Sequence, residues 1–230
     1  MKIGGIQKTS LLDYPDIISA IIWTVGCNFR CPYCYNKDIV FGNVQPVPEK
    51  EVISFLEKRK GILEGLVITG GEPLMQKDIA DFCKKVKKIG YLVKIDTNGM
   101  YPKKLKELID KKLIDYVAID IKATRTKYDK LTNVKVDIKK IEESIKIVQN
   151  SKLDYEFRTT FVPELLTKND IIEIAKWLKG SKKYYLQQFK PNPPLVSAKL
   201  EEALPYSKKE FVDILEEIKS YFVICEARGI

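Results

Sequence analysis

Residues 66–95 read LVITGGEPLMQKDIADFCKKVKKIGYLVKI. Leu66–Thr69 is a short apolar run with β-branched members, about the length of a buried strand. Gly70-Gly71-Glu72-Pro73 is turn chemistry. Ile79, Phe82, Val86 and Ile89 then recur at helical spacing, and Tyr91–Ile95 is a second apolar run. Strand, turn, helix and strand in series make a βαβ unit, which implies parallel strands joined by a right-handed crossover.

The same order extends in both directions. Further apolar runs occur at Ile18–Trp23, Tyr116–Ile119, Tyr155–Thr160 and Tyr184–Phe189, and a short one at Tyr221–Ile224 is a candidate terminal strand. Between them lie segments of helical period: Pro48–Arg59, Pro102–Asp110, Asp137–Asn150, Asn169–Leu178 and Ser207–Ser220. Six strand–helix units predict an α/β fold on a parallel sheet. A doubly wound open sheet and a (β/α) barrel both fit. A full eight-unit barrel needs about 250 residues, so the spacing favours a partial (β/α)6 barrel. No composition break marks a second domain, so residues 1–230 are expected to form one domain, with an N-terminal extension over about 1–16.

The composition narrows the chemistry. The 230 residues carry 40 Lys and Arg against 31 Asp and Glu, a formal charge of +9, and no His. The missing His excludes Ser-His-Asp and Cys-His catalysis and any His-ligated metal. Only five of the cations are Arg, and the Lys are scattered along helical faces. That pattern reads as a solvated surface rather than a nucleic-acid interface. No apolar stretch approaches the ~20 residues that span a bilayer. Five Cys, three of them within eight residues, do not suit a disulfide framework. A reducing, cytoplasmic compartment is therefore expected.

In either architecture, functional residues follow the carboxyl ends of strands. After the first run comes Cys27-Asn-Phe-Arg-Cys31-Pro-Tyr-Cys34. Such a loop can wrap three thiolates around one corner of an iron–sulfur cube, leaving one iron open to a small molecule; cubane clusters otherwise take four Cys. A four-thiolate zinc site completed by Cys83 or Cys225 is the alternative. Cys83 sits on the apolar face of its helix and reads as a core residue, whereas Cys225 stays open as a fourth ligand. After the second run the Gly70-Gly71 pair allows close backbone approach, and Glu72 suits an ammonium group; an ordinary tight turn explains both as well. Asp96-Thr97-Asn98-Gly99 follows the third run, also turn-like, and Asp120-Ile-Lys122 follows the fourth. The fifth carries Arg158, whose buried setting calls for a carboxylate. The sixth carries Gln187 and Gln188. The order, with polar or ligating groups at every strand end, is the strong signal.

These residues resemble the radical S-adenosylmethionine (SAM) superfamily, in which three Cys with gaps of three and two carry an aromatic before the last, here Tyr33. The likeness is closer to glycyl-radical-enzyme activating enzymes, through DTNG at 96–99, Asp120-x-Lys122 and the Arg158 strand. The opening TSLLDYP at 9–15 and the closing Ala227-Arg228-Gly229 resemble the activating group of anaerobic ribonucleoside-triphosphate reductases. The chain departs from the family pattern at Tyr35 and Asp16, where His and Gly are common. The resemblance implies that Cys27, Cys31 and Cys34 hold a [4Fe–4S] cluster. It implies that Tyr33, Gly70, Gly71, Glu72, Asp96, Thr97, Asp120, Lys122, Arg158 and Gln188 surround SAM, with Glu72, Asp96 and Asp120 near the amino group and Lys122 and Arg158 at the carboxylate. The activity implied is reductive cleavage of SAM to a 5′-deoxyadenosyl radical, which installs a glycyl radical on a partner enzyme. A low-potential donor such as ferredoxin or flavodoxin would supply the electron. A radical SAM enzyme acting on a small molecule, or a non-enzymatic zinc- or cluster-binding protein, are the other readings.

Overall fold

The computed structural model describes residues 1–191 and 194–230. One eight-stranded sheet runs in strand order from first to last. Its strands are β1 (Ile3–Ser10), β2 (Ser19–Thr24), β3 (Gly65–Gly70), β4 (Leu92–Thr97), β5 (Tyr116–Asp120), β6 (Asp154–Phe161), β7 (Lys183–Gln188) and β8 (Ile224–Arg228). β2 to β8 are parallel, and β1 pairs antiparallel with β2. The sheet is curved as a partial barrel and open between β1 and β8, which do not pair.

All six expected strands are present, and they match β2 to β7. Two more flank them. The terminal run near Tyr221 becomes a strand three residues later, as β8. The N-terminal extension contributes β1, whose IGGIQKTS sequence has no alternation of apolar and polar residues to announce it. With two Gly and an exposed stretch over 7–9, it is held by pairing to β2 and by its buried ends, Ile3 and Ser10.

The helices are α1 (Lys37–Phe41), α2 (Glu49–Lys58), α3 (Ile79–Ile89), α4 (Pro102–Asp110), α5 (Tyr128–Thr132), α6 (Ile138–Gln149), α7 (Lys168–Trp177) and α8 (Lys208–Ile218). The six longer ones coincide with the expected helical segments. α7 and α8 open on capping boxes, Thr167 with Asp170 and Ser207 with Glu210, which satisfy first-turn N–H groups. Alternate strand residues such as Ile22, Ile68, Ile95, Val117, Phe157 and Leu186 form the main core beneath the helices. The opposite face looks into the barrel. There, Tyr14, Ile21, Val67 and Tyr116 form a second, smaller apolar cluster at the amino ends of the strands. The 11–18 turn thus closes that end, and polar residues are left to line the other.

No helix among the described residues is long and apolar enough to cross a membrane.

Candidate functional site

A cavity of about 400 Å³ occupies the carboxyl end of the barrel. Cys27, Cys31, Cys34, Tyr33, Gly70, Gly71, Asp96, Thr97, Asp120, Lys122, Arg158 and Gln188 all line it. The strand-end series therefore converges, apart from the Glu72 carboxylate. Cys83 is fully buried on α3, and Cys225 lies on β8 opposite Tyr184; neither lines the cavity.

The three thiols sit on the loop between β2 and α1, and other segments anchor that loop. Arg30 donates through one guanidinium nitrogen to the carbonyls of Cys27 (2.6 Å) and Phe29 (2.8 Å), and its own N–H bonds to Thr132 at the end of α5. Phe29 is buried against Tyr128. The segment after β7 donates from Val196 and Ser197 to the carbonyls of Cys34 and Pro32. Burial pushes the Cys27 thiol up to about 12 and the Cys31 thiol to about 11, so ligation there displaces a proton.

The Gly pair has a structural reason. A Cβ on Gly71 would lie 1.9 Å from the Gly26 carbonyl oxygen, and one on Gly70 would lie 2.6 Å from the Thr24 nitrogen. The turn after β3 is thereby pressed against the root of the Cys loop. Glu72 is 0% exposed and serves the same joint. It accepts from Leu74 N–H (2.9 Å), the Thr97 hydroxyl (2.7 Å) and Asn98 N–H (2.8 Å). Its carboxylate is thus engaged within the protein, where the sequence reading had it meet an ammonium group. Burial raises its pKa to about 7 despite those three donors.

The charges in the barrel form one network. Arg158 donates to Asp120 (2.8 Å) and Asp96 (3.2 Å), and Lys122 lies 3.0 Å from the other Asp120 oxygen. Burial opposes ionisation of Asp120, but Arg158 and Lys122 outweigh it and hold the carboxyl well below its ordinary range. Deeper in, Lys94 meets Asp96 at 2.9 Å and the Asp13 carbonyl at 2.6 Å. Glu156 takes two bonds from Arg228 (2.9 and 3.0 Å) and one from Tyr116 (3.0 Å). Sequence reasoning passed over Lys94, Glu156 and Arg228 as site charges. The available signal was a charged residue at an alternate position inside an apolar run, YLVKI and DYEF.

Among the described residues, two buried polar atoms beside the cavity have no protein partner, the Tyr33 hydroxyl and the Gln188 Oε1. With the thiols and the charged strand ends, they fit a polar organic group bound next to a metal cluster. Among the described residues, no three His, Cys, Asp or Glu converge closely enough to hold a single ion. A tetrahedral zinc site with Zn–S near 2.3 Å needs sulfurs about 3.8 Å apart; a cube spreads its thiolates over separate irons.

Comparison with known proteins agrees with this geometry. A family model described as the Radical SAM superfamily matches residues 21–178. A Methanocaldococcus jannaschii protein named "Putative glycyl-radical enzyme activating enzyme" is 39% identical over 194 residues, 82% of this chain and 80% of the relative. The 7-carboxy-7-deazaguanine synthase of Thermoplasma acidophilum is 31% identical over 153 residues, 65% of this chain and 69% of the relative. Among solved structures, Streptococcus suis SuiB bound to S-adenosylmethionine superposes with a TM-score of 0.65 at 15% identity. That superposition covers 91% of this chain, and the chain spans half the length of SuiB.

Proposed function

The chain belongs to the radical SAM superfamily, and within it we propose that this protein is a glycyl-radical-enzyme activating enzyme, acting on a partner of the anaerobic ribonucleotide reductase or pyruvate formate-lyase type. The observation that carries this is the 39% identity extending over four-fifths of both chains to a relative so named.

In this reading, Cys27, Cys31 and Cys34 ligate a [4Fe–4S] cluster, reduced by a low-potential donor such as ferredoxin or flavodoxin. When bound, the cluster and SAM supply the one-electron cleavage that yields a hydrogen-abstracting 5′-deoxyadenosyl radical. The protein's contribution is position and charge. Gly70 and Gly71 offer backbone on the cavity wall, while Tyr33, Thr97 and Gln188 present polar atoms around it. Asp96 and Asp120 face the cationic groups of SAM. Within the barrel network, Lys94, Lys122, Arg158 and Arg228 outnumber Asp96, Asp120 and Glu156 by one. That unmatched positive charge suits a ligand carboxylate, and Arg158 has donors beyond the two its Asp contacts use.

The test is anaerobic reconstitution with iron and sulfide. Cys27→Ala, Cys31→Ala and Cys34→Ala should each lose the cluster, and Cys83→Ala and Cys225→Ala should keep it. Lys122→Ala should bind SAM about ten- to hundredfold more weakly with its iron intact, from loss of a charge-assisted bond of roughly 1.5–3 kcal/mol. The wild-type enzyme, reduced with SAM beside candidate partner enzymes, should produce a glycyl radical signal on one of them. SAM cleavage with no partner radical, but with turnover of a small molecule, would move the protein to the deazaguanine-synthase side of the superfamily.

A further inference from the structure

The turn that holds Glu72 also fixes a side chain that points at the cluster loop. Asn98 is 5% exposed, and its Nδ2 lies 3.9 Å from Cys27 Sγ and 2.9 Å from Asn28 Oδ1. Its orientation is determined by its partners: Oδ1 accepts from Met100 N–H (3.1 Å), and a flipped amide would set two oxygens against each other. One amide proton goes to Asn28, which leaves the second for the sulfur. Phe29 N–H, at 3.4 Å, is the other donor near the same sulfur among the described residues. The backbone N–H of Asn98 is in turn held by Glu72 Oε2, while Glu72 Oε1 holds Thr97 and Leu74. Among the described residues no cation pairs with Glu72. Its buried carboxylate serves only as a bracket between the ends of β3 and β4.

We infer that Asn98 donates a hydrogen bond to the Cys27 ligand sulfur and so raises the reduction potential of the cluster, and that Glu72 is the positioning residue that aims it. This rests on the reading that Cys27 is a cluster ligand. The physical basis is that a donor dipole directed at a ligand sulfur favours the more negative, reduced cluster, and hydrogen bonds to sulfur are among the levers that set such potentials. Glu72 thereby acts on the cluster through the turn, with no contact to SAM.

The experiment is a redox titration of reconstituted protein, with iron content measured alongside. Asn98→Leu keeps the branched skeleton, at a somewhat larger volume, and removes the donor. It should lower the reduced-to-oxidised ratio at a fixed poise about tenfold, which is roughly 59 mV for a one-electron couple. Glu72→Asp keeps the charge and retracts the bracket, so it should shift the potential in the same direction. The double variant should shift no further than Asn98→Leu alone. Selective ¹⁵N-asparagine labelling should also give a nitrogen coupling to the reduced cluster by electron–nuclear double resonance, and the component from Asn98, as distinct from that of Asn28 beside Cys27, should be lost in Asn98→Leu. Full iron content with an unshifted potential in Asn98→Leu, additive shifts in the double variant, or no asparagine coupling in the wild type would each overturn the inference. Failure of wild-type protein to take up iron would instead overturn the cluster reading itself.

Discussion

Gly71 shows how little room separates the two loops that build the site. A methyl group there meets the Gly26 carbonyl at 1.9 Å, and both atoms belong to backbone. Neither can rotate away, so Gly71→Ala forces apart the turn after β3 and the root of the Cys loop. We expect a loss of about 2 kcal/mol or more, in the range of overpacked cores, and a lower yield of cluster on reconstitution. Gly61→Ala is the comparison: Gly61, unlike Gly71, has a positive φ, at 83°, but nothing lies within 4 Å of the added carbon. It should cost only about the 1–2 kcal/mol of a left-handed residue and leave reconstitution unchanged. Urea unfolding and iron content separate the two. At this scale the sequence was informative about which residues meet and less so about what they do there. Cys27, Asp96, Asp120, Lys122 and Arg158 could be placed because each lies on a strand run or just past its carboxyl end. The role of Glu72 could not, because its three donors come from a local turn and from the next strand end, which no spacing along the chain reveals.

Among the elements, β8 is held most economically. It pairs with β7 on one side only and sits at the open edge of the sheet. Arg228 ties it across β7 to Glu156 on β6, with its guanidinium 3.4 Å from the Tyr185 ring centroid. Glu156 is wholly buried, so Arg228→Ala leaves its carboxylate inside the barrel with only the Tyr116 hydroxyl (3.0 Å) and the more distant Arg158 (3.7 Å) among the described residues. Breaking a fully buried pair costs about 3–5 kcal/mol; with the Arg228 side chain 35% exposed, we expect about 1–3. The effect should concentrate in β8, as faster amide exchange there, and Glu156→Gln in the Arg228→Ala background should restore part of the stability. Uniform exchange along the sheet in Arg228→Ala would mean that the pair does not pin the edge. Six strands and six helices were legible because the strands are buried along their length and read as apolar runs, and the helices bury one face and so carry a period. β1, α1 and α5 were not: β1 has an exposed stretch over 7–9, and the two helices are five residues each, too short to show a period.

For the molecule as a whole, the barrel has a mouth, an open side and a floor, and the floor comes from the part of the sequence with the least pattern. The 11–18 turn folds under the amino ends of the strands. Tyr14 is 5% exposed there, tilted against Tyr116 with centroids 5.8 Å apart, and the Asp13 carbonyl receives Lys94. Lys94 holds Asp96, Asp96 shares Arg158 with Asp120, and Asp120 faces Lys122 at the mouth. A floor that keeps water from the inner end of this chain keeps its local dielectric low and its charges strong. Tyr14→Ala should therefore act at a distance. Loss of the ring should cost about 3 kcal/mol, as for other large aromatic deletions. Water admitted beneath Lys94 should also weaken SAM binding severalfold at the opposite end and make it more sensitive to salt, since exposed charges are screened and buried ones much less so. Tyr14→Phe retains the ring and should leave both properties near wild type. SAM affinity measured at low and high ionic strength on the three proteins decides the matter. A destabilised Tyr14→Ala variant with wild-type affinity at both salt concentrations would reduce the floor to a packing element and uncouple the two ends of the barrel.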